Sequence, residues 1–233
     1  MKPEKLYDNI HDLYDRRHML APSTWWLKRQ EDRIVRKLKG RTLDIGCGTG
    51  YDLRLLKDVV GLDPSPEMLK IAKKTGKEVV LGRAEKLPFP DASFDNVICL
   101  FGTLNICDAE KSVAEMSRVL KPGGTAVISV ASVWDRGHGL LKRFSIRHPA
   151  KDKAITISGN RMHLRLFGRK ELVELFRENG MECGKFVSLF KFHVPRWGDW
   201  TKLTLVEKLR LRLDTLPVFG GYGAMYIMVF TKN

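Results

Sequence analysis

Leu43-Asp44-Ile45-Gly46-Cys47-Gly48-Thr49-Gly50 is the stretch that decides how we expect this chain to fold. The apolar run from Thr42 to Ile45 has the pattern of a short buried strand, and glycines follow at every second position. Glycine adopts the backbone conformations that a tight turn requires, and it lets backbone amides come close to a bound molecule. The stretch therefore predicts a strand that leads into a ligand-binding turn, and then a helix from Tyr51 to Lys57.

Strand and helix patterns keep alternating after this turn. Ser65-Pro66-Glu67 supplies an N-cap, a proline and an acid for one helix, and Asp108 caps another. Because parallel strands need crossover connections, the alternation predicts a doubly wound α/β sheet with helices on both faces. The four strands predicted after the first lie at 59–63, 77–81, 94–100 and 125–130.

The C-terminal part completes the predicted sheet. After residue 132 the regular pattern lapses, and residues 133–167 are expected to be irregular. A helix then begins at Arg169 and ends at Gly180, followed by strands at 181–192 and 224–231. We expect these two strands to pair as an antiparallel hairpin at the edge of a seven-stranded sheet, with an amphipathic helix at 203–216 between them.

The chain is long enough for one large core, and one domain of 1–233 is predicted. Apolar spacing between Leu6 and Leu38 predicts two amphipathic helices that are broken at Ala21-Pro22-Ser23, with Ser23 as the N-cap of the second. The predicted segments are a helical N-terminal segment (1–40), a ligand-binding core (41–132), a basic cap (133–168), and the C-terminal helix with the edge strands (169–233).

Three residues indicate what the glycine turn binds. A carboxylate at Asp63, where the second strand ends, can accept hydrogen bonds from a ribose diol, which indicates a nucleoside-containing cofactor. A dinucleotide turn needs its third glycine at position 51, but that residue is Tyr51. Asp44 would repel a pyrophosphate, whereas it could hold the ammonium of an amino-acid moiety. S-adenosylmethionine has that ammonium and no phosphate, so it is favoured over a nicotinamide dinucleotide.

Further motifs follow the turn in a distinctive order. They are Gly61-Leu62-Asp63, Arg83-Ala84-Glu85-Lys86-Leu87-Pro88-Phe89, Ser93-Phe94-Asp95-Asn96-Val97 and Arg118-Val119-Leu120-Lys121-Pro122-Gly123-Gly124. With them, the chain from about Thr42 to Val130 resembles the class I S-adenosylmethionine-dependent methyltransferases. The L-P-F and R-V-L-K-P-G-G elements are similar to the methyltransferase type 11 group, which contains ubiquinone and menaquinone C-methyltransferases. The resemblance implies a three-layer, Rossmann-like sheet and methyl transfer from S-adenosylmethionine.

The resemblance also implies which residues bind the cofactor. They are Asp44, Gly46, Gly48, Gly50, Asp63, Ala84, Glu85, Leu100 and Phe101. In this set the three glycines would line the methionine part, Asp44 would face its amino group, and Asp63 would bind the ribose hydroxyls. Ala84 and Glu85 would meet the adenine edge, while the residues after the fourth strand would border the sulfonium. Many members carry aspartate where this chain has Arg83, so adenine contacts are expected to rest on backbone groups and Glu85.

The acceptor is less well defined. Methyl transfer from a sulfonium is an in-line displacement that depends on proximity and alignment, so a dedicated acid or base is not required. The motif Asn/Asp-Pro-Pro-Tyr/Phe of enzymes that methylate exocyclic amines is absent after the fourth strand, and Cys47 and Cys99 are expected to be small packing residues. We expect a small acceptor that is anionic or lipid-like. Weak candidates for a general base are Tyr14, His138, His148 and His163, each of which is more often a surface or packing residue.

The charge of the chain is strongly positive. Lys and Arg number 41 and Asp and Glu 27, which gives a net charge of +14 and favours anionic partners. Ten basic residues lie between positions 133 and 170: Arg136, Lys142, Arg143, Arg147, Lys151, Lys153, Arg161, Arg165, Arg169 and Lys170. Three interpretations of this basic segment remain open. It could be a solvated surface, a lid for an anionic substrate, or an RNA-binding surface to which the aromatic-basic stretch 190–197 contributes. The amphipathic run 203–213 is expected to pack on the domain or to lie on a membrane surface.

Cysteine usage and hydropathy suggest a location. The four cysteines have no C-x-x-C spacing and no clustered histidines, so neither a metal site nor a disulfide pair is predicted. We therefore expect a reducing cytoplasm. We also expect a soluble or at most peripheral protein, because no apolar run is long enough to span a bilayer.

The leading hypothesis is an S-adenosylmethionine-dependent methyltransferase of a small molecule. A tRNA or rRNA methyltransferase and a non-catalytic S-adenosylmethionine-binding or interaction protein are the alternatives, and the oligomeric state is open.

Overall fold

A computed structural model of the chain describes residues 5, 7–8, 21–136, 145–147, 152–157, 160–191, 203–214 and 222–233. A seven-stranded sheet lies at its centre. Its strands are β1 (Thr42–Ile45), β2 (Val59–Asp63), β3 (Glu78–Leu81), β4 (Phe94–Cys99), β5 (Leu120–Ala131), β10 (Met181–Leu189) and β11 (Met225–Lys232). Two hairpins form separate small sheets: β6 (Trp134–Arg136) with β7 (Ser145–Arg147), and β8 (Asp152–Ile157) with β9 (Asn160–Arg165).

The topology of the sheet confirms the predicted α/β class. The strand order is β10-β11-β5-β4-β1-β2-β3. Only β11 runs against its neighbours, because it pairs antiparallel with both β10 and β5 while the pairs from β5 to β3 are parallel. β1 lies between β2 and β4, so the strand order reverses beside it. Ligands of open α/β sheets bind outside the carboxyl ends of the strands at such a reversal.

Helices cover the sheet, and two of the three predicted caps are confirmed. The α-helices of the described residues are α1 (Pro22–Val35), α2 (Pro66–Ala72), α3 (Ala109–Val119), α4 (Arg169–Glu178) and α5 (Leu205–Asp214). Ser65 accepts the N–H of Met68 at the start of α2, and Asp108 caps α3. Ser23 is not an N-cap, because α1 begins at Pro22 with Ala21 in the cap position. Proline suits the first turn of a helix, where a backbone N–H has no helical partner.

Two other predictions are wrong. Instead of a helix over Tyr51 to Lys57 there is a single 3-10 turn, Asp52–Leu55. Within this turn Asp52 forms a salt bridge with Lys28 of α1 at 2.7 Å, a tertiary contact that no local pattern encodes. The stretch 133–167, expected to be irregular, contains the two hairpins. Their strands are short and contain charged residues, so the sequence shows no clear alternation of apolar and polar residues there.

Successive residues of the sheet face two different apolar clusters. Ile98 and Val127 belong to a cluster that includes side chains of α1, α2 and α5. Their neighbours Val97 and Ile128 belong to a second cluster with side chains of α3 and α4. This alternation produces the three predicted layers, with the sheet between two layers of helices.

A buried amide joins the β8–β9 hairpin to the core. Asn105 is 2% exposed, and its Oδ1 accepts the N–H of Ala131 at 2.8 Å. Its Nδ2 donates to the carbonyl oxygens of Ala131 and Arg165. The side chain of Arg165 forms salt bridges with Glu110 at 2.7 Å and Glu171 at 3.1 Å. One cation of the predicted basic cap is therefore neutralised by acids of the core.

Arg118 explains why two of the sequence motifs occur together. Its guanidinium donates to Glu115 and to the carbonyl oxygens of Leu87 and Phe89, at 2.7 to 3.0 Å. Glu115 in turn accepts the N–H of Leu87 at 2.7 Å. The arginine of R-V-L-K-P-G-G thus holds the L-P-F loop, which leads from the edge of the cleft described below back to β4.

We expect Arg118→Ala to lower the free energy of unfolding by about 1.5–3 kcal/mol, because it removes charge-assisted hydrogen bonds to partly buried carbonyl groups. Arg177→Ala is the matched control, since Arg177 is also a helical arginine paired with a glutamate three residues earlier, but on an exposed surface. Its effect is expected to stay within about 0.5 kcal/mol. Urea denaturation measures both values, and equal effects would contradict the role assigned to Arg118.

Candidate functional site

An open cleft lies where β1, β2 and β4 end. It has about 750 Å³ of empty space, counted with its mouth. The structure brings most of the predicted cofactor-binding residues to its wall, namely Gly46, Gly48, Asp63, Ala84, Glu85, Leu100 and Phe101. Residues far apart in the sequence meet here because the carboxyl ends of parallel strands share one edge of the sheet.

The glycine turn brings the backbone to the floor of the cleft. Gly46 has a φ of 74°, and a Cβ atom at this position would overlap the side chain of Thr103. Gly48 has a φ of 52°, and no atom lies within 4 Å of the place where its Cβ would be. Both positions need the left-handed conformation that glycine adopts freely. The open space beside Gly48 lets a ligand touch the backbone directly.

Asp63 connects the turn to the next strand. Its Oδ2 accepts the N–H of Gly48 and its Oδ1 accepts the N–H of Ser65, both at 2.9 Å. Burial raises the pKa of Asp63 to about 6, although these two hydrogen bonds oppose the shift. Each carboxylate oxygen has a second lone pair, so the group can still accept hydrogen bonds from a diol in the cleft.

A buried group of charges lies behind the turn. Lys28 of α1 contacts Asp52 at 2.7 Å and Glu31 at 3.0 Å. Burial would lower the pKa of Lys28, but the charges of these two acids raise it, so the ammonium stays protonated. Burial also raises the pKa of Asp44 well above its ordinary value, and the nearby Asp52 adds to the effect. One cation thus faces three carboxyl groups.

These residues fit the amino group of S-adenosylmethionine. Oδ2 of Asp44 and Oδ1 of Asp52 are buried and have no hydrogen-bond partner among the described residues. An unpaired buried acceptor is unfavourable, and an added ammonium would supply both donors and the missing positive charge. Asp44 is 2% exposed and does not itself line the cleft. Its contact with the amino group, like that of Asp63 with the ribose, stays a prediction.

The part of the cleft where adenine contacts are predicted has a mixed lining. Ala84 and Glu85 lie there with Arg83, whose Nε is 3.5 Å from a carboxylate oxygen of Glu85. The other oxygen of Glu85 accepts the N–H of Asp108 at 3.2 Å, which anchors the side chain at the start of α3. Cys107 also lines this part, and burial raises the pKa of its thiol to about 11. The thiol is therefore protonated at neutral pH and adds an uncharged surface to this lining.

Phe101 is held in an unusual conformation beside the turn. Its φ is 56°, and its N–H donates to Oγ of Ser129 at 2.6 Å. The Ser129 hydroxyl in turn donates to Glu31 of α1. The N-terminal helix is thereby connected through Ser129 to a residue of the cleft wall. Such strain in a non-glycine residue persists only where surrounding contacts enforce it.

The remaining predicted residues lie elsewhere or outside the described residues. A Cβ at Gly50 would meet Ala72 and Thr75, so this glycine allows the turn to pack on the end of α2 rather than lining the cleft. His163 lies on β9 with an exposed side chain. Cys47 and Cys99 are buried packing residues, and burial raises the pKa of both thiols. Tyr14, His138 and His148 lie outside the described residues, as does the stretch 192–197.

Sequence reasoning missed the contribution of the N-terminal residues. Lys28 and Glu31 have the spacing of an ordinary surface pair on a helix. A signal was present, because Glu31 is four residues from both Leu27 and Val35 and so falls on the apolar face of α1. Tyr7 lines the cleft as well, and burial followed by the charge of Asp63 raises its pKa to about 12. No spacing in the sequence pointed to Tyr7.

Two kinds of feature are absent from the described residues. No group of three or more histidine, cysteine or acidic side chains is arranged to hold a metal ion within the described ranges. No helix within them is both long and apolar enough to cross a membrane.

We expect the affinity for S-adenosylhomocysteine to fall as the pH drops through about 6. A ribose diol donates to the ionised form of Asp63, so a ligand that binds this form must compete with protonation, at a cost of up to about tenfold per pH unit. Calorimetric titration between neutral and acidic pH measures the slope. Asp63→Asn should bind more weakly at neutral pH and show a shallower slope, and an unchanged slope would contradict the role of Asp63.

We expect Asp44→Asn to weaken the binding of S-adenosylhomocysteine about tenfold or more, because a charge-assisted hydrogen bond to the ammonium is lost. 5′-Methylthioadenosine lacks the amino-acid moiety, and its affinity should stay within about twofold of the wild-type value. Asp63→Asn is the matched control, which should weaken both ligands. If Asp44→Asn weakened both ligands equally, Asp44 would not be the partner of the amino group.

Comparison with known proteins agrees with this geometry. Residues 43–128 match a family model described as a methyltransferase domain. A demethylmenaquinone methyltransferase of Staphylococcus carnosus is 35% identical over 163 residues, which cover 61% of this chain and 68% of the relative. The demethylmenaquinone methyltransferase of Thermotoga maritima is 38% identical over 135 residues, covering 53% of this chain and 59% of the relative. An uncharacterized protein of Methanocaldococcus jannaschii is 42% identical over 135 residues, covering 57% and 53%. The chain thus spans little more than half the length of the last two relatives.

Solved structures share the fold. An S-adenosylmethionine-dependent methyltransferase of Thermotoga maritima superimposes with a TM-score of 0.65 at 23% identity, covering 99% of both chains. An amino pentose methyltransferase of Micromonospora echinaspora, solved with S-adenosylmethionine bound, gives a TM-score of 0.56 at 21% identity, covering 89% of this chain and 92% of that one. These likenesses concern the fold, whereas the family match covers the strands and the turn that build the cleft. The chain belongs to the class I S-adenosylmethionine-dependent methyltransferases, in the methyltransferase type 11 group.

Proposed function

We propose that this protein transfers a methyl group from S-adenosylmethionine to a small, lipid-like acceptor. The apolar part of the cleft lining carries the proposal, because Leu100, Phe101 and Ile106 belong to it. Met68 lines the cleft too, and it packs against Met162 of β9, which is 4% exposed. The cap hairpin therefore adjoins the apolar wall. Such a wall favours an acceptor with a large apolar part.

The relatives support a more specific acceptor class. Relatives at 35 to 38% identity are demethylmenaquinone methyltransferases. A quinone-like ring with an apolar tail suits the apolar lining of this cleft. We propose this class for the present chain, with residues 1–233 acting as one domain and residues 133–168 as the cap beside the acceptor.

The residues of the chain bind and orient the two reactants. When bound, S-adenosylmethionine supplies a methyl group that is activated by its sulfonium. Asp44 holds the amino group and Asp63 holds the ribose hydroxyls, so the position of the cofactor is set at two points. Leu100 and Phe101 keep water from the space between the reactants. Orientation of this kind can lower a barrier by about 7–11 kcal/mol without an acid or base.

RNA methylation is the second candidate, because the net charge of +14 favours a polyanion. The described part of the cap supports it less well. Arg165 is paired with Glu110 and Glu171, so its charge is not available to a phosphate backbone. The apolar lining of the cleft also offers little to a nucleotide backbone.

The test is incubation of the protein with methyl-labelled S-adenosylmethionine and a cell extract that is then separated into organic-soluble, small polar, RNA and protein fractions. We expect the label in the organic-soluble fraction. Asp63→Asn is expected to lower the labelling about tenfold or more at limiting cofactor, because the ribose contacts are lost.

Other distributions of the label would contradict the proposal. Label in RNA that disappears with added salt would favour the second candidate. Binding of S-adenosylhomocysteine without transfer to any fraction would indicate a non-catalytic binding protein. A demethylated quinone offered as a pure substrate distinguishes the proposed class from other lipids.

A further inference from the structure

An apolar patch stands out on α5. Within the part of the chain that the structure describes, five large apolar side chains are more than half exposed: Leu81, Leu205, Val206, Leu209 and Tyr222. Three of them belong to α5, where Leu205 is 84% exposed, Val206 57% and Leu209 54%. Single exposed apolar residues need no explanation, but a group of them on one helix indicates a contact surface.

Basic side chains lie among these apolar residues. Leu205, Lys208, Leu209 and Arg212 are all exposed and have the spacing i, i+3, i+4 and i+7, so they share one face of the helix. Val206 borders them. We name these five residues the α5 outer face. The other side of α5 is buried through Leu211 and Asp214, at 3% and 1% exposed.

The two acids of α5 act away from the α5 outer face. Glu207 accepts the N–H and the hydroxyl of Thr204, both at 2.8 Å, which caps the start of the helix. Asp214 accepts the N–H groups of Phe190 and Lys191, at 2.6 and 2.7 Å, where β10 has just ended. These acids start and anchor the helix. Among the described residues of α5, the charged side chains of the α5 outer face are Lys208 and Arg212.

We propose that the α5 outer face docks the protein on the anionic surface of a lipid bilayer. A helix with leucines and cations on its outer side can lie in the plane of the interface, with the apolar side chains below the headgroups. Lysine and arginine bury their alkyl stems while their charged ends stay among the headgroups. The net charge of +14 adds long-range attraction to anionic lipids.

The position of α5 connects this surface to the cleft. Leu203 and Leu211 belong to the same buried cluster as Leu100, and Leu100 lines the cleft. A bilayer on the α5 outer face would thus contact the helix that packs behind the cleft wall. Docking does not depend on which acceptor is methylated. Vesicle binding and methyl transfer can therefore fail independently of each other.

The test is flotation of the full chain with vesicles of phosphatidylglycerol and phosphatidylcholine in equal parts, and with vesicles of phosphatidylcholine alone. We expect flotation with the anionic vesicles only, and release at high salt. Combining Leu205→Gln with Leu209→Gln should lower the partition coefficient about tenfold or more, which corresponds to the transfer free energy of one buried leucine. Lys208→Glu should lower it as well.

Matched controls separate the α5 outer face from general adhesion. Leu81→Gln changes an exposed leucine on β3, and Lys74→Glu changes an exposed lysine after α2. Both controls should float like the wild type. All the changed side chains are exposed, so the thermal midpoint and the affinity for S-adenosylhomocysteine should stay unchanged in every variant.

Several results would overturn the proposal. One is undiminished flotation of the variant with Leu205→Gln and Leu209→Gln, because another surface would then bind the vesicles. Another is equal flotation with neutral vesicles, because anionic headgroups would then not be needed for binding. Sedimentation that shows a dimer of the wild type and a monomer of this variant, with no flotation of either, would assign the face to a second copy of the chain.

Discussion

The hydrogen bonds to Asp63 hold together the parts on which the rest of the structure depends. One carboxylate oxygen takes the N–H of Gly48 after β1, and the other takes the N–H of Ser65 before α2. A single side chain therefore fixes the glycine turn against the end of β2 and sets the start of a helix. This is feasible because Gly48 has a positive φ and no side chain to fill the cleft.

The charges of α1 are the basis on which we expect this frame to select a cationic ligand. Burying carboxylates is unfavourable unless cations compensate them, and Lys28 compensates only part of the charge of Glu31, Asp52 and Asp44. The unpaired acceptors that remain prefer a cationic ligand. The same group reaches Phe101 through Ser129, so the helix that carries the charges also shapes the cleft wall. The residues that we expect to select a cationic ligand are thus connected to the residues that shape the cleft wall.

The sequence predicted helices and strands correctly where capping residues and apolar periodicity indicated the same element. The caps at Ser65 and Asp108 and the antiparallel last strand are confirmed, because capping and alternation depend on neighbouring residues. The helix predicted after Tyr51 was wrong: a 3-10 turn lies there, and its Asp52 pairs with Lys28 of α1, a tertiary contact that local preference does not encode. Ser23 is the second residue of α1, two positions after the N-cap Ala21, because Pro22 can occupy the first helical position. The hairpins of the cap were missed because their pairing does not depend on a clear apolar pattern.

The strand, the glycine turn and the acid that follows were recognisable in the amino-acid sequence, and with them the fold and the family. These features are contiguous or periodic, so their physical meaning is local. The packing of the elements brings Lys28, Glu31 and Asp52 together near Asp44. It also packs Gly50 on α2 and leaves Leu205 and Leu209 of α5 exposed. Such contacts join residues that are distant in the chain. Whether a charge is buried or a leucine is exposed depends on what packs against it, and no spacing within one segment contains that information.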